Sequence, residues 1–153
     1  MPSPVVSWMD STNTKQETIW PIGTVDAGSV SSDKTFLIWN NRGGTSAVSD
    51  MTTCSITTKD NAGGNTGELV LDKWIEVRVD TMSETTFTKI GGTTTKTIKA
   101  GGTSPAATIK GSTNDGTLNA LENFAQVTLH AAPLPTATAG NVDFLTRISY
   151  TYN

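Results

Sequence analysis

Threonine limits the folds open to this chain more than any other feature, because 28 of its 153 residues are Thr. A β-branched side chain loses rotamer freedom in a helix but packs well on the pleated surface of a sheet. The 14 glycines supply the backbone conformations that tight turns need. Charged residues make up only 16% of the chain, below the roughly one quarter of a typical domain. The composition therefore predicts a single all-β domain with many turns.

Short apolar runs separated by glycine-rich loops divide the chain into candidate strands. In Thr35–Asn40 every residue from Phe36 to Trp39 is apolar, which indicates a strand buried on both faces. In Val142–Tyr152 alternate residues are apolar, which indicates a core strand with one buried face that carries Phe144 and Ile148. The other candidates are Val5–Trp8, Thr18–Val25, Cys54–Thr58, Trp74–Val79, Thr86–Ile90 and Phe124–Ala131. About seven to eight short strands are typical of a β-sandwich, with a small barrel as the alternative.

Two segments leave the domain organisation open. Residues 85–116 are rich in Thr, Gly and Lys and poor in large apolar side chains, so they form either a hairpin or loop insertion with little core, or plain strands with threonine toward solvent. Residues 1–17 are either an N-terminal arm or the first strand of the sandwich, which we predict to span residues 18–153. Leu118–Asn123 is the one stretch predicted to form a short helix.

Charge and cysteine content exclude several classes of protein. With 11 basic and 14 acidic residues the net charge is -3, whereas phosphate binding requires a basic surplus, so we expect no nucleic-acid partner. No apolar stretch is long enough to span a membrane, and the first residues, MPSPVVSWMD, do not form a secretory signal. Cys54 is the only cysteine, so a disulfide framework is excluded.

His130 and Cys54 are the only imidazole and thiol in the chain. A catalytic Cys–His pair needs a third group and an oxyanion hole, and no sequence pattern supplies them. We therefore interpret His130 as a solvent-facing residue of its strand and Cys54 as a small buried or half-buried residue. We predict no catalytic residue and no enzymatic activity.

The loop Asp60–Asp72 is the only candidate metal site. Its oxygen ligands would be Asp60, Asn65 and Glu68. An EF-hand needs oxygen side chains at the third and fifth loop positions, where this chain has an alanine and a glycine. A hydrophilic turn is the simpler interpretation, and we predict no metal and no cofactor.

Trp8 and Trp74 are the candidate partner-contact residues. Trp74 falls on the face of its predicted strand that also carries Glu76 and Arg78, where a core residue is not expected. Trp8 and Trp20 flank a polar stretch. An exposed Trp is typical of a protein contact, and the alternative is that these side chains belong to the core.

Two parts of the chain resemble immunoglobulin-like domains. Gly23–Gly28, followed by Thr35–Asn41, resembles their opening pattern, Gly-x-Val-x-x-Gly and then an apolar strand that ends in Asn. Phe124–Ala131, a Pro- and Ala-rich link and Val142–Tyr152 resemble their last hairpin. The Cys…Trp…Cys pattern of antibody domains is absent. Outside residues 85–116 the chain also resembles small immunoglobulin-like structural proteins that decorate the capsids or tails of tailed bacteriophages and prophages.

This resemblance implies a non-catalytic virion protein, made in the cytoplasm of a host bacterium, that sits on the capsid surface. Its expected role is that of a capsid decoration protein, with the lattice of major capsid protein as its partner and self-association left open. An N-terminal arm, Met1–Glu17, is available to add a strand to a neighbour. The alternatives are a tail or baseplate component of the same virion and a carbohydrate-binding module.

Overall fold

The computed structural model describes all 153 residues and is a β-sandwich of two antiparallel sheets. The five-stranded sheet has the order β1-β2-β7-β4-β5 and the three-stranded sheet the order β6-β3-β8. The prediction of an all-β sandwich is confirmed. The strands are β1 (Val6–Asp10), β2 (Lys34–Asn40), β3 (Thr52–Asp60), β4 (Ile75–Val79), β5 (Thr88–Ile90), β6 (Lys96–Thr97), β7 (Phe124–Ala131) and β8 (Phe144–Thr151); helix α1 is Glu68–Leu71, and 3₁₀ turns span Asp80–Met82 and Leu121–Asn123.

The main core lies between the two sheets and is built from alternate residues of their strands. In β4 the buried residues are Ile75, Val77 and Val79, while Glu76 and Arg78 point outward, as the alternation predicts. The three-stranded sheet contributes Cys54 and Ile56 from β3. Because apolar burial stabilises by roughly 25 cal/mol per Å², this alternation fixes which face of each strand turns inward.

Strand β2 is buried on both faces, as its continuous apolar run predicts. Phe36 and Ile38 belong to the main core. Leu37 and Trp39 belong to a second apolar cluster on the outer face of the five-stranded sheet, together with Met9 and Phe124. The rings of Trp39 and Phe124 lie 4.8 Å apart, which places the second cluster over β2 and β7.

Residues 1–17 fold back on themselves within the sandwich. Strand β1 pairs with β2 in the register Val6↔Asn40 to Asp10↔Phe36. The following residues return along its other edge, since the Asp10 N–H donates to the Lys15 carbonyl and the Glu17 N–H to the Trp8 carbonyl, both at 2.9 Å. From Trp8 to Asp10 the backbone of β1 is therefore paired on both sides inside this molecule.

The segment 85–116 contains the short strands β5 and β6 and supplies part of the core, which differs from the first of its two interpretations, an insertion with little core. Ile90, Ile98 and Ile109 have no exposed surface. Their partners lie far away in the chain: Ile98 donates its N–H to the Cys54 carbonyl at 3.1 Å, and Ile109 pairs with Met51. Three isolated isoleucines in a threonine-rich stretch give no periodic signal.

Two other predicted elements differ in the structure. Thr18–Val25 is not a strand but an irregular segment, since Pro21 lacks the N–H that a ladder requires. The helix expected over Leu118–Asn123 is a single 3₁₀ turn at Leu121–Asn123. The one α-helical turn, α1, lies instead in the loop that follows β3.

Candidate partner-binding surface

The edge strands β1 and β8 lie on the same side of the sandwich, which we call its open side. Trp8 lies on β1 at this side and is half-buried. Its ring contacts Phe36 edge-on at 5.4 Å. It lines a surface groove of about 310 Å³ that reaches Thr146 on β8. The groove is lined by Val6, Ser7, Trp8, Gln16, Glu17, Thr18, Ile19, Trp20, Phe36 and Thr146, and we call it the Trp8–Trp20 groove.

Trp20 forms the second aromatic wall of this groove. Its ring lies edge-on against Phe36 at 6.3 Å and against Phe144 at 5.9 Å, and thus connects the two sheets. The rim is polar, because Glu17 forms a 3.0 Å ion pair with Lys34. An aromatic floor with a polar rim is the usual composition of a protein contact. The sequence pattern does not select Trp20 as a contact residue. Its position across a polar stretch from Trp8 is the one sequence feature that favours such a role.

Trp74 is buried, so its side chain is not available for the predicted partner contact. Only 6% of its surface is accessible, and it packs in the main core. The reason is local: Lys73 has a left-handed backbone (φ 53°), β4 begins only at Ile75, and the Trp74 N–H donates to the Leu69 carbonyl at 3.0 Å. Strand alternation therefore does not extend to residue 74, and its indole turns inward.

A second, larger groove of about 760 Å³ runs along the irregular segments 22–27 and 137–143. Leu69, Trp74 and Phe144 are among its apolar lining residues. Its walls are joined by a hydrogen bond from the Gly28 N–H to the Pro133 carbonyl at 2.9 Å. None of the predicted contact residues is exposed in this groove.

His130 is buried rather than solvent-facing, although it does point away from the main core. Only 8% of its surface is accessible. Its Nδ1 lies 3.2 Å from an oxygen of Asp33, and its Nε2 lies 2.8 Å from an oxygen of Glu76. Phe87 stacks on the ring at 3.9 Å. Two loops, around Asp33 and Phe87, thus cover a position that the strand pattern assigns to solvent.

His130, Asp33, Glu76, Phe87 and Lys89 form a group of contacting side chains on the outer face of the five-stranded sheet, which we call the His130 cluster. Burial acts to raise the pKa of Glu76, but hydrogen bonds and charge attraction from His130 and Lys89 outweigh burial and hold this pKa below its usual value. Lys89 lies 3.1 Å from Glu76. Both nitrogens of His130 already face carboxylates, so neither is free to act on a bound molecule.

Cys54 lies far from this network, on the inner face of the other sheet. Burial raises the pKa of its thiol to about 11, which a hydrogen bond from the Ile109 backbone only partly opposes. The structure therefore does not bring Cys54 and His130 together.

The side chains proposed as ligands in the loop Asp60–Asp72 are engaged in separate interactions. Asp60 accepts the N–H groups of Thr66 at 2.8 Å and Gly67 at 3.0 Å, and the Thr66 bond is the main cause of its lowered pKa. Asn65 accepts from Lys59 at 2.8 Å, and Glu68 accepts the Thr138 N–H at 3.0 Å. No group of three or more His, Cys, Asp or Glu side chains converges on a common point.

No family model matches this chain, and no curated protein matches its sequence. No helix of the structure is long and apolar enough to cross a membrane. The geometry of the Trp8–Trp20 groove is therefore the main guide to function.

Proposed function

We propose that this protein is a structural protein of a bacteriophage virion, and that it decorates the capsid by binding the assembled lattice of coat protein. The observation that carries the proposal is the Trp8–Trp20 groove, which presents half-buried aromatic rings with a polar rim at the open side of a β-sandwich. Buried aromatic anchors supply most of the binding energy in protein contacts. The resemblance to immunoglobulin-like phage proteins gives the partner.

A lattice partner suits a groove of this size. The groove encloses about 310 Å³, which is room for a few side chains of a partner, so it would form only the centre of a standard interface of roughly 800 Å² per partner. A capsid offers many identical sites, so moderate affinity at each site is sufficient when neighbouring copies also contact each other. A free coat subunit does not hold neighbouring copies of the protein side by side, so we expect the protein to bind it more weakly than it binds the capsid.

The direct test mixes the purified protein with capsids that lack it and, separately, with free coat subunits, and then sediments both. We expect the protein to co-sediment with capsids and to remain unbound with subunits. Failure to bind capsids, together with attachment to purified tails, would instead assign it to the tail or baseplate.

A pair of matched variants connects binding to the groove. Ile19 lines the groove and is 72% exposed, whereas Val30 is 59% exposed and lines neither groove. Both side chains are exposed, so Ile19→Asp and Val30→Asp are expected to leave the fold intact. Ile19→Asp should reduce capsid binding at least about tenfold, because it places a charge among desolvated aromatic contacts. Equal capsid binding by the two variants would show that the groove is not part of the interface.

A carbohydrate-binding module is the second candidate, favoured by the position of Gln16 beside Trp8 and Trp20 in the groove. Aromatic faces and amide groups are the side chains that a sugar ring would contact. A glycan screen separates the two functions. Specific glycan binding that Ile19→Asp abolishes, without capsid binding, would favour the module.

A further inference from the structure

Strand β8 carries the one long strand edge that this molecule leaves open. It is eight residues long and lies at the end of the three-stranded sheet. The outer edge of β1 is covered from Trp8 to Asp10 by residues 15–17, which leaves only Val6 open, and the edge strands β5 and β6 have only three and two residues. An uncovered edge of this length presents a row of unpaired N–H and C=O groups to another chain.

The hydrogen bonds of β3 show which β8 residues face the open side. The Cys54 and Thr58 carbonyls accept from Ile98 and Gly92, at 3.1 and 2.8 Å, so these residues direct their backbone groups away from β8. The intervening residues of β3 must therefore direct theirs toward β8. Their partners on β8 are Leu145, Arg147 and Ser149.

The other residues of β8 therefore direct their backbone groups outward, and none of these groups has a partner in the molecule; they belong to Phe144, Thr146, Ile148 and Tyr150. The same four side chains point inward and are half-buried. The open edge thus combines free backbone groups with a half-covered apolar face.

We propose that β8 pairs with β8 of a second copy of this chain, antiparallel about a two-fold axis at Ile148. The two three-stranded sheets would then form one continuous six-stranded sheet. This inference is independent of the virion role, since it rests only on the edge and its sequence.

The sequence of β8 favours this register. Directly opposite residues must lie on the same face of the sheet, and centring on Ile148 places Arg147 opposite Ser149 and Thr146 opposite Tyr150. Centring on Arg147 would place two guanidinium groups directly opposite each other, which is destabilising. Arg147 is the only charged residue in the strand. Only registers centred on Arg147 or Ile148 pair seven of the eight residues of β8, so the Ile148 register combines the longest pairing with no like-charge pair.

The same register covers apolar surface that the single chain exposes. Tyr152 is 52% exposed and would lie opposite Phe144 of the second copy, as an aromatic cross-strand pair. Leu145, 37% exposed, would lie opposite Thr151. A second copy therefore covers exposed apolar side chains at both ends of the strand and pairs two aromatic residues there.

Sedimentation velocity over a range of protein concentrations tests the dimer. We expect a reversible monomer–dimer equilibrium for the natural protein. Thr146→Pro removes an outward N–H that makes no bond to β3, so proline is tolerated there as at other edge strands. This variant should remain folded by its thermal transition and stay monomeric, whereas Thr146→Val, which keeps the N–H, should still dimerise.

Two variants of Ser149 test the register. Ser149→Asp places a carboxylate opposite Arg147 of the second copy, and Ser149→Lys places a second cation there. Because symmetry makes each pair occur twice, we expect the dimer dissociation constant to fall about two- to twentyfold in the first variant and to rise similarly in the second. A natural protein that stays monomeric throughout, or a dimer indifferent to Thr146→Pro and to both charges, would overturn the proposal.

Discussion

Cys54 illustrates how burial sets the chemistry of a single side chain in this sandwich. It lies on the inner face of β3 with 1% of its surface accessible. Burial disfavours the thiolate and raises the pKa of the thiol to about 11, and the thiolate is the reactive form. The side chain therefore acts as a small apolar core residue.

Thiol modification measures this directly. At pH 8 we expect Cys54 in the folded protein to react with a disulfide reagent at least about a hundredfold more slowly than in the denatured protein, because both thiolate content and access are reduced. The absorbance of the released thiol follows the reaction. A folded-state rate close to that of free cysteine would contradict the burial of this residue.

Glu76 gives the stability a defined pH dependence. Its folded-state pKa is below the usual value of 4.5, so its ionised form stabilises the fold at a pH above 4.5, and this stabilisation is lost as the pH falls through the folded-state pKa. We expect the free energy of unfolding to decline below about pH 4.5, and Glu76→Gln to make that decline shallower.

Chemical denaturation between pH 3 and 7 checks this expectation. Asp143→Asn is the control, because Asp143 is exposed and has no hydrogen-bond partner. A decline that keeps its full slope in Glu76→Gln, or becomes equally shallow in Asp143→Asn, would exclude the His130 cluster as a source of acid sensitivity.

At the scale of elements, β8 has the predicted faces but less burial than a central strand. Phe144 and Ile148 point inward and Arg147 points outward, as the alternation predicts. The strand lies at the edge of its sheet, however, so both apolar residues are only half-buried. The ring of Phe144 packs against Trp20, which lies in the irregular segment before β2.

Two phenylalanine truncations measure this difference. Phe124, 4% exposed, packs on Trp39, and Phe124→Ala should cost about 3–5 kcal/mol, the usual range for a fully buried ring. Phe144→Ala should cost less, about 1–3 kcal/mol, because the half-buried ring loses less apolar contact. Arg147→Ala should change the stability by less than about 0.5 kcal/mol.

Denaturant unfolding at low protein concentration supplies these values without a contribution from association. Equal, small losses for Phe124→Ala and Phe144→Ala would show that the second apolar cluster contributes little to the fold.

Elements with strong local periodicity could be predicted from the sequence, and those set by distant contacts could not. The continuous run in β2 and the alternation in β4 and β8 each specify a strand and its buried face. Strand β6 has two residues and α1 has four, too few for any period. Their positions depend on pairing with β3 and on the loop closed by Asp60.

The candidate site shows the same limit. The polar stretch after Trp8 favours a position near the surface, and in the structure Trp8 is half-buried against the main core; its partner contact stays a prediction. The inward turn of Trp74 depends on the backbone of Lys73, and the burial of His130 depends on Asp33, which is 97 residues away in the chain. Neither cause is visible in the local pattern.

At the scale of the whole molecule, the outer face of the five-stranded sheet is covered by its own side chains, whereas the open side of the sandwich leaves apolar and backbone groups accessible. The outer face is closed by the second apolar cluster and the His130 cluster. The open side carries both the Trp8–Trp20 groove and the free edge of β8. The two surfaces on which our proposals rest thus lie on the same side of the sandwich and meet at Thr146.

Electron cryo-microscopy of capsids reconstituted with the purified protein tests the proposed function most directly. We predict repeated density for the sandwich on the outer capsid surface, with the Trp8–Trp20 groove against coat protein. Capsids that carry no added density, or copies bound with this groove facing solvent, would contradict the account.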